Sequence, residues 1–156
     1  MSTTLLVTGS EGLIGTALCA ALRAAGHTVR GLDLRATTPE DVRNPGDLSR
    51  AMHGCQMVVH LAAVSRVIDG ERDPDGCWAT NGVGTRNVLD AADGRRVLFA
   101  SSREVYGEQD RLPVHETDAL KPMNVYGRAK VAAEEMVLAR AGAVVRLSNV
   151  YGVAMD

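Results

Sequence analysis

Tyr126 and Lys130, four residues apart, are the side chains in this sequence best placed to perform chemistry together. All three tyrosines lie within Val-Tyr-Gly triplets, at Tyr106, Tyr126 and Tyr151, but only Tyr126 is followed one helical turn later by a basic residue. A phenol has a pKa of about 10, so it is a useful base at neutral pH only when a nearby cation stabilises the phenolate. The pair therefore predicts an acid–base tyrosine whose pKa is lowered by Lys130.

A serine pair is suited to work beside such a tyrosine, which could take a proton from an alcohol while the adjacent carbon gives hydride to a nicotinamide ring. Ser101 and Ser102 follow an apolar run over residues 96–100 that is typical of a buried strand. Ligands of a parallel sheet bind beyond the carboxyl ends of its strands, so we expect a serine of this pair to hydrogen-bond the substrate. No Gly-x-Ser-x-Gly elbow is present, which argues against a hydrolase.

A glycine-rich stretch near the N-terminus has the spacing of a phosphate-binding turn. Gly9, Gly12 and Gly15 lie between a short apolar run and a segment rich in alanine and leucine, where a strand meets a helix. The first glycine permits a tight turn, the second lets the backbone approach a pyrophosphate, and the third lets the helix pack close to the strand. Free N–H groups at the helix N-terminus favour the phosphates. The spacing predicts a dinucleotide site.

Asp33 ends the next apolar run, where a carboxylate can accept hydrogen bonds from the adenosine ribose of a dinucleotide. A negative charge at this point would repel a 2′-phosphate, so the sequence favours NAD over NADP. Arg35, two residues later, could attract that phosphate instead, and NADP therefore stays open as an alternative.

These side chains require a sheet whose strand ends meet in one crevice. Apolar runs of strand length alternate with helical segments, which is typical of right-handed βαβ units. The pattern predicts an α/β fold, a Rossmann-like doubly wound parallel sheet of about five strands. Residues 65–76 are polar and interrupted by Pro74, so we expect a mobile loop there, and a second loop over residues 103–122. The expected strands cover residues 4–7, 28–33, 57–61, 96–100 and 143–147, and the expected helices cover residues 13–25, 47–52, 80–92 and 124–141.

The composition argues against several classes of protein. A chain of 156 residues, 46% hydrophobic and 23% charged, suits one soluble domain. Its net charge of −2 gives no electrostatic footprint for nucleic acid. We also expect no membrane span and no secretion, hence a cytoplasmic protein. The cysteines and histidines lack ligand spacing, so we expect neither disulfides nor a metal: these residues are Cys19, Cys55, Cys77, His27, His53, His60 and His115.

Several short segments fall in the order that is typical of one enzyme family. They are Thr8–Gly15 (TGxxGxxG), Asp41-Val42, His60–Ala63, Asn81 with Gly84-Thr85 (NxxGT), Ser101–Gly107 (SSxxVYG), Tyr126–Lys130 (YxxxK) and Arg146–Gly152 (RxxNVYG). On these segments the chain resembles the extended short-chain dehydrogenase/reductases, specifically the NAD-dependent epimerase/dehydratase family acting on nucleotide sugars. The resemblance covers essentially the whole chain.

The resemblance implies a set of functional residues and partners. Ser102, Tyr126 and Lys130 would be catalytic, and Ser102 and Asn149 would contact a UDP- or dTDP-sugar. A homodimer would form through the helices that carry the NxxGT and YxxxK segments. The cofactor would be NAD, bound by Gly9, Gly12, Leu13, Ile14, Asp33, Asp41, Val42, Leu61, Ala62, Ala63, Asn81, Tyr126 and Lys130.

Two departures from the family pattern shape the expected function. Arg103-Glu104 stands where the 4,6-dehydratases have Asp-Glu, which favours an epimerase or a dehydrogenase. Family members continue past the position of Asp156 into a substrate domain, so we expect residues 1–156 to be a partial NAD-binding domain that needs further residues for full activity. The alternatives are a non-catalytic NAD-binding module, a degenerate fragment, or a reductase of small carbonyl or steroid-like substrates.

Overall fold

Five parallel strands form one sheet in the order β2-β1-β3-β4-β5. The computed structural model describes residues 2–152, so residue 1 and residues 153–156 of the expected domain lie outside the described range. The strands are β1 (Thr4–Thr8), β2 (Thr28–Leu32), β3 (Met57–His60), β4 (Arg96–Ser102) and β5 (Ala143–Leu147). The helices are α1 (Leu13–Ala24), α2 (Pro45–Met52), α3 (Val67–Arg72), α4 (Pro74–Trp78), α5 (Gly84–Ala92) and α6 (Val125–Leu138), with a π-helical turn at Ala79–Val83 and a 3₁₀ turn at Arg103–Val105.

The strand order reverses at β1, which pairs with β2 on one side and with β3 on the other. The chain leaves β1 toward one edge of the sheet and returns to the opposite side for β3. Loops after these two strands therefore diverge and leave a crevice at their carboxyl ends, where ligands of such sheets bind. The prediction of a Rossmann-like parallel sheet of five strands is confirmed.

Helices cover both faces of the sheet because the central strands are apolar on both sides. Leu6 of β1 and Val58 of β3 point into a core shared with α2, α5 and α6. Their neighbours Val7 and Val59 point to the opposite face, where Cys19 of α1 joins them. Strands buried on both faces read as continuous apolar runs, which is why the sequence pattern located them.

The expected loop over residues 65–76 is wrong, because this segment contains α3 and most of α4. Asp73 precedes α4, and its side chain accepts a hydrogen bond of 3.0 Å from the backbone N–H of Gly76. Pro74 then occupies the first turn, where a proline needs no backbone hydrogen bond and has the φ of a helix. The proline starts a helix here, although its position within a polar stretch was interpreted as a break.

Helix α6 brings ionisable side chains to the carboxyl edge of the sheet. It begins after Asn124, whose side chain accepts a hydrogen bond of 2.7 Å from the N–H of Gly127. Tyr126, Lys130 and Glu134 follow at intervals of four on one side of the helix, and all three are buried. No helix within residues 2–152 is long and apolar enough to cross a membrane.

Candidate functional site

A crevice of about 1280 Å³ opens at the carboxyl ends of β1, β3 and β4. Its volume exceeds the roughly 300–1,000 Å³ of an ordinary small-molecule pocket, which leaves room for an extended ligand. Every residue that the sequence analysis assigned to the site lines this crevice except Asn81. The lining residues from that set are Gly9, Gly12, Leu13, Ile14, Asp33, Asp41, Val42, Leu61, Ala62, Ala63, Ser102, Tyr126, Lys130 and Asn149.

The glycine turn forms the floor of the crevice, and its glycines differ in what requires them. Gly9 has a φ of +72°, and a Cβ there would lie 2.7 Å from the backbone nitrogen of Ala62. A Cβ on Gly15 would collide with the carbonyl oxygen of Gly9, so helix α1 reaches the turn only because this residue lacks a side chain. A Cβ on Gly12 would meet the Gly9 oxygen at 3.2 Å and the Arg35 guanidinium at 3.5 Å. Gly12 is thus the glycine whose replacement the fold tolerates best.

Asp33 is fixed at the end of β2 with its carboxylate in the crevice, where it is only 7% exposed. One oxygen accepts a hydrogen bond of 3.0 Å from the N–H of Glu11, within the glycine turn. The other accepts one of 2.8 Å from the N–H of Arg35, whose Nε lies 3.5 Å away. The Arg35 side chain is 66% exposed, so solvent weakens this ion pair. The Asp33 carboxylate, which would repel a 2′-phosphate, and the Arg35 guanidinium, which would attract one, therefore lie side by side.

A chain of buried hydrogen bonds, missed by the sequence analysis, shapes the opposite wall. Thr85 Oγ1 donates to the Asn81 carbonyl at 2.6 Å, which leaves it to accept from His60 Nε2 at 3.0 Å. His60 Nδ1 therefore accepts from Thr8 Oγ1 at 2.7 Å. Thr8 Oγ1 in turn accepts from the N–H groups of Leu61 and Ala62, each at 3.2 Å. We assign the ring its Nε2–H tautomer from this network.

Burial keeps His60 neutral, since it lowers the pKa of the ring to about 3, with a smaller contribution from the charge on Lys130. Asn81 holds the same wall from behind. Its Oδ1 accepts from the N–H of Val64 at 2.8 Å, and its Nδ2 donates to the Val64 carbonyl at 3.0 Å. Asn81 thus orients the loop after β3 from a buried position.

Ser102, Tyr126 and Lys130 meet at the end of the crevice formed by β4 and α6. Ser102 and Tyr126 line the same end of the crevice, and the Ser102 hydroxyl accepts a hydrogen bond of 3.2 Å from the N–H of Glu104. Lys130 Nζ donates to the carbonyl oxygen of Ala100 at 2.8 Å. It lies 5.8 Å from the centre of the Tyr126 ring. The serine and the tyrosine therefore face the same part of the crevice, and the ammonium group is held by the backbone of β4.

The expected lowering of the Tyr126 pKa by Lys130 is wrong for the protein without ligand. Burial raises the pKa of Tyr126, the nearby Ser102 hydroxyl opposes this shift, and the charge of Glu104 adds to it. Burial also lowers the pKa of Lys130 to about 8, so its charge is only partly retained near that pH. Desolvation is the largest influence on both groups.

Titration of Tyr126 will test this arrangement. In the ligand-free protein we expect Tyr126 to ionise above the pKa of about 10 that is usual for a phenol. The phenolate of Tyr126 would lose hydration on burial, which is the physical reason for the shift. Tyrosine ring carbons labelled with ¹³C give three signals for NMR, and Tyr126→Phe assigns one of them. Ionisation of Tyr126 below about pH 10 would contradict the inference.

The remaining lining residues stand at the two ends of the crevice. Asp41 pairs with Arg43 at 2.6 Å, and hydrogen bonds from that guanidinium hold the pKa of Asp41 below its usual value. Val42 packs against Gly84, where a Cβ would meet it at 2.9 Å. Asn149, just after β5, is exposed on the side of Ser102. Within the described residues, no group of three His, Cys, Asp or Glu side chains could hold a metal.

Comparison with known proteins places this site among related ones. Residues 5–155 match the model of the NAD dependent epimerase/dehydratase family. The chain is 32% identical to a UDP-glucose 4-epimerase of Streptomyces lividans, with 92% of this chain and 49% of that protein aligned. It is also 32% identical to a dTDP-4-dehydrorhamnose reductase of Mycolicibacterium smegmatis, over 97% of this chain and 47% of that protein. The chain thus spans about half the length of these relatives.

A solved structure shares both the fold and much of the sequence. The crystal structure of a short-chain dehydrogenase/reductase superfamily protein from Agrobacterium tumefaciens, with bound NAD, has a TM-score of 0.84 and 39% sequence identity. The likeness covers 92% of this chain and 48% of that one.

Proposed function

We propose that residues 1–156 supply the cofactor-binding and acid–base portion of an NAD-dependent sugar-nucleotide epimerase or dehydrogenase. The basis is that this chain belongs to the NAD-dependent epimerase/dehydratase family. The observation that carries the proposal is the shared crevice: the glycine turn and Asp33 stand at one end, and Ser102 and Tyr126 stand at the other. A dinucleotide that extends from the glycine turn to Ser102 would bring its nicotinamide ring to Tyr126.

The residues of the crevice fit a dinucleotide. Gly12 leaves open the space that a side chain would occupy above the turn, and the N-terminus of α1 offers its N–H groups there. Asp33 presents acceptor oxygens for ribose hydroxyls. A bound nicotinamide would supply the acceptor and donor of hydride. We assign the cofactor contacts to Gly9, Gly12, Leu13, Ile14, Asp33, Asp41, Val42, Leu61, Ala62, Ala63, Tyr126 and Lys130, with Asn81 acting from behind the wall.

The protein's own residues handle the proton. Ser102 holds the sugar hydroxyl or carbonyl oxygen against the Tyr126 phenol, which lines the same end of the crevice. Tyr126 takes the hydroxyl proton as hydride leaves the carbon, and returns it when a ketone is reduced. Lys130 favours the phenolate once a ligand draws its ammonium group from the Ala100 carbonyl. In an epimerase, the keto sugar rotates within the crevice before hydride returns to the opposite face of its carbonyl carbon.

The substrate class follows from the relatives, with Asn149 and Ser102 as its contacts on this chain. A UDP- or dTDP-sugar is therefore the proposed substrate. The similarity to a dTDP-4-dehydrorhamnose reductase supports a second candidate, in which the same serine and tyrosine protonate the oxygen of a 4-keto sugar during one-way reduction.

The test is oxidation of a sugar by the purified chain. UDP-glucose or dTDP-glucose is mixed with the protein and NAD, the nicotinamide absorbance is followed, and the sugar products are identified by NMR. Reduced cofactor together with a 4-keto sugar or a 4-epimer supports the proposal. Turnover only in the direction from keto sugar and NADH supports the reductase. Because the chain spans about half the length of its relatives, we expect slow turnover. Tight NAD binding without conversion of any of these sugars even in a single-turnover assay would point to a non-catalytic NAD-binding module.

Cofactor choice will be decided at Asp33 and Arg35. We expect NAD to bind more tightly than NADP, and Asp33→Asn to weaken NAD binding by about tenfold or more because a charged acceptor for the ribose is lost. Arg35→Ala should leave NAD affinity nearly unchanged, since its guanidinium is largely in solvent. Quenching of protein fluorescence gives both affinities. If the unmodified chain prefers NADP and Arg35→Ala removes that preference, the NADP alternative is correct.

A further inference from the structure

A buried carboxylate that the proposed mechanism does not use lies beside the site. Glu134 stands one helical turn beyond Lys130 on α6 and is 2% exposed. It accepts a hydrogen bond of 2.5 Å from the hydroxyl of Ser101, the neighbour of Ser102. It also accepts from Arg146 of β5, at 2.7 Å from Nη2 and at 3.0 and 3.1 Å from Nε. One carboxylate thus joins α6 to the ends of two strands.

Glu134 and Lys130 reach consecutive residues of β4. Lys130 Nζ donates to the carbonyl of Ala100, and Glu134 Oε1 accepts from the hydroxyl of Ser101. Both side chains leave the same side of α6, four residues apart. The two groups do not form a direct ion pair, but burial lowers the pKa of Lys130 and the negative charge of Glu134 opposes this shift.

Arg146 completes the cluster and connects it to the loop after β4. Its Nη1 donates to the phenol oxygen of Tyr106 at 2.7 Å and to the carbonyl of Glu116 at 2.9 Å. Its guanidinium also stacks 4.9 Å from the centre of the Tyr106 ring. The buried cluster formed by Lys130, Glu134 and Arg146 thus contains two cations and one anion.

We propose that Glu134 is a positioning residue of the site: its carboxylate is the counter-ion that keeps Lys130 charged, and it fixes the strand end that carries Ser102. The consequence for catalysis rests on the proposed function. The effect of Glu134 on the charge of Lys130 is independent of that function, because it concerns only side chains of the ligand-free protein. Arg146 competes with Lys130 for the same carboxylate.

The two cations respond differently when their shared anion is removed. A guanidinium does not lose its proton in a protein, whereas a buried ammonium does so readily. Without Glu134, the repulsion between the cations must therefore be relieved at Lys130. The other groups around Lys130 are the thiol of Cys77 on α4, the ring of His60 on β3 and the phenol of Tyr126. Burial keeps the ring neutral and raises the pKa of the thiol and of the phenol, so these groups cannot replace the carboxylate below about pH 9.

The experiment uses the fact that the chain has two lysines, Lys121 and Lys130. Lysine labelled with ¹³C at Cε gives two NMR signals, and Lys121→Arg leaves only the signal of Lys130. In Glu134→Gln we expect the Lys130 pKa, about 8 in the unmodified protein, to fall by about one unit or more. In Arg146→Met, the freed carboxylate should raise it. Ser101→Ala removes a hydrogen bond but no charge, so it is the matched control and should move the pKa little.

Opposite shifts in Glu134→Gln and Arg146→Met support the proposal, because a merely structural cluster would lower the thermal unfolding temperature of both variants without moving Lys130 in opposite directions. Unchanged titration in both folded variants, or shifts of the same sign, would overturn it. If Glu134→Gln does not fold, Arg146→Met and the double variant E134Q/R146M, which removes both members of the Glu134–Arg146 ion pair, decide the sign. The double variant should have a lower Lys130 pKa than Arg146→Met. NMR titration requires neither NAD nor a sugar, so its outcome is independent of the proposed enzymatic activity.

Discussion

Hydride transfer by Tyr126→Phe is expected to fall by a factor of about 10²–10⁴, the usual contribution of a positioned acid–base group. The Tyr126 phenol lines the crevice together with Ser102, and this variant removes only its oxygen. No other tyrosine can take over, since the Tyr106 phenol accepts a hydrogen bond from Arg146 and Tyr151 is 88% exposed. A sugar alcohol in the crevice would keep its proton, and the carbon could not release hydride.

Two measurements separate lost chemistry from lost binding in this variant. The first is single-turnover reduction of NAD by a sugar nucleotide, and the second is NADH binding followed by fluorescence. We expect the second to change by no more than about threefold, because the ring still packs in place. Tyr151→Phe is the matched control and should leave both unchanged. Near-normal turnover by Tyr126→Phe would contradict the assignment of Tyr126 as the acid–base residue.

The overall fold could be predicted from the sequence because it depends on local signals. Apolar runs mark strands that are buried on both faces, and the glycines of the turn mark a place where backbone meets backbone. The errors occurred where one residue type has two meanings. Pro74 was interpreted as a break, but with Asp73 before it the proline begins a helix. Ser101 and Ser102 were expected after β4 and are its last two residues.

The electrostatics of the site could not be predicted, since they depend on burial. Spacing along a helix brings Tyr126 and Lys130 onto one side, as expected, but it does not reveal that both side chains lose most of their water. An attraction of about 4 kcal/mol between the ammonium group and a phenolate would require the two to lie about 4 Å apart and the ammonium group to keep its full charge. In the fold, Lys130 is held by the Ala100 carbonyl, and burial lowers its pKa to about 8.

Contacts between segments that are distant in sequence could not be predicted either. Tyr106, Glu134 and Arg146 meet although they lie on a loop, a helix and a strand that are far apart in sequence. Nothing about the Val-Tyr-Gly triplet of Tyr106 indicates an arginine partner. The sheet creates the contact by pairing β4 with β5 and by packing α6 across their ends.

The glycine turn offers a pair of variants whose effects should separate binding from folding. Gly12→Ala is expected to weaken NAD binding by about tenfold or more, because its methyl group would stand where a pyrophosphate approaches the turn. The fold should tolerate it, since the nearest atoms lie at 3.2 and 3.5 Å and the residue has an extended backbone. Gly15→Ala should instead destabilise the protein by about 1–3 kcal/mol, because its methyl group would collide with the Gly9 carbonyl.

Thermal unfolding and NAD binding, measured for both glycine variants, test this distinction. For Gly12→Ala we expect an unfolding temperature close to that of the unmodified chain together with weak binding. For Gly15→Ala we expect a lower unfolding temperature, and any loss of binding should follow from a displaced α1. NAD binding that survives in Gly12→Ala would mean that the cofactor does not approach the turn at this residue, and the proposed dinucleotide site would then be wrong at its best-defined point.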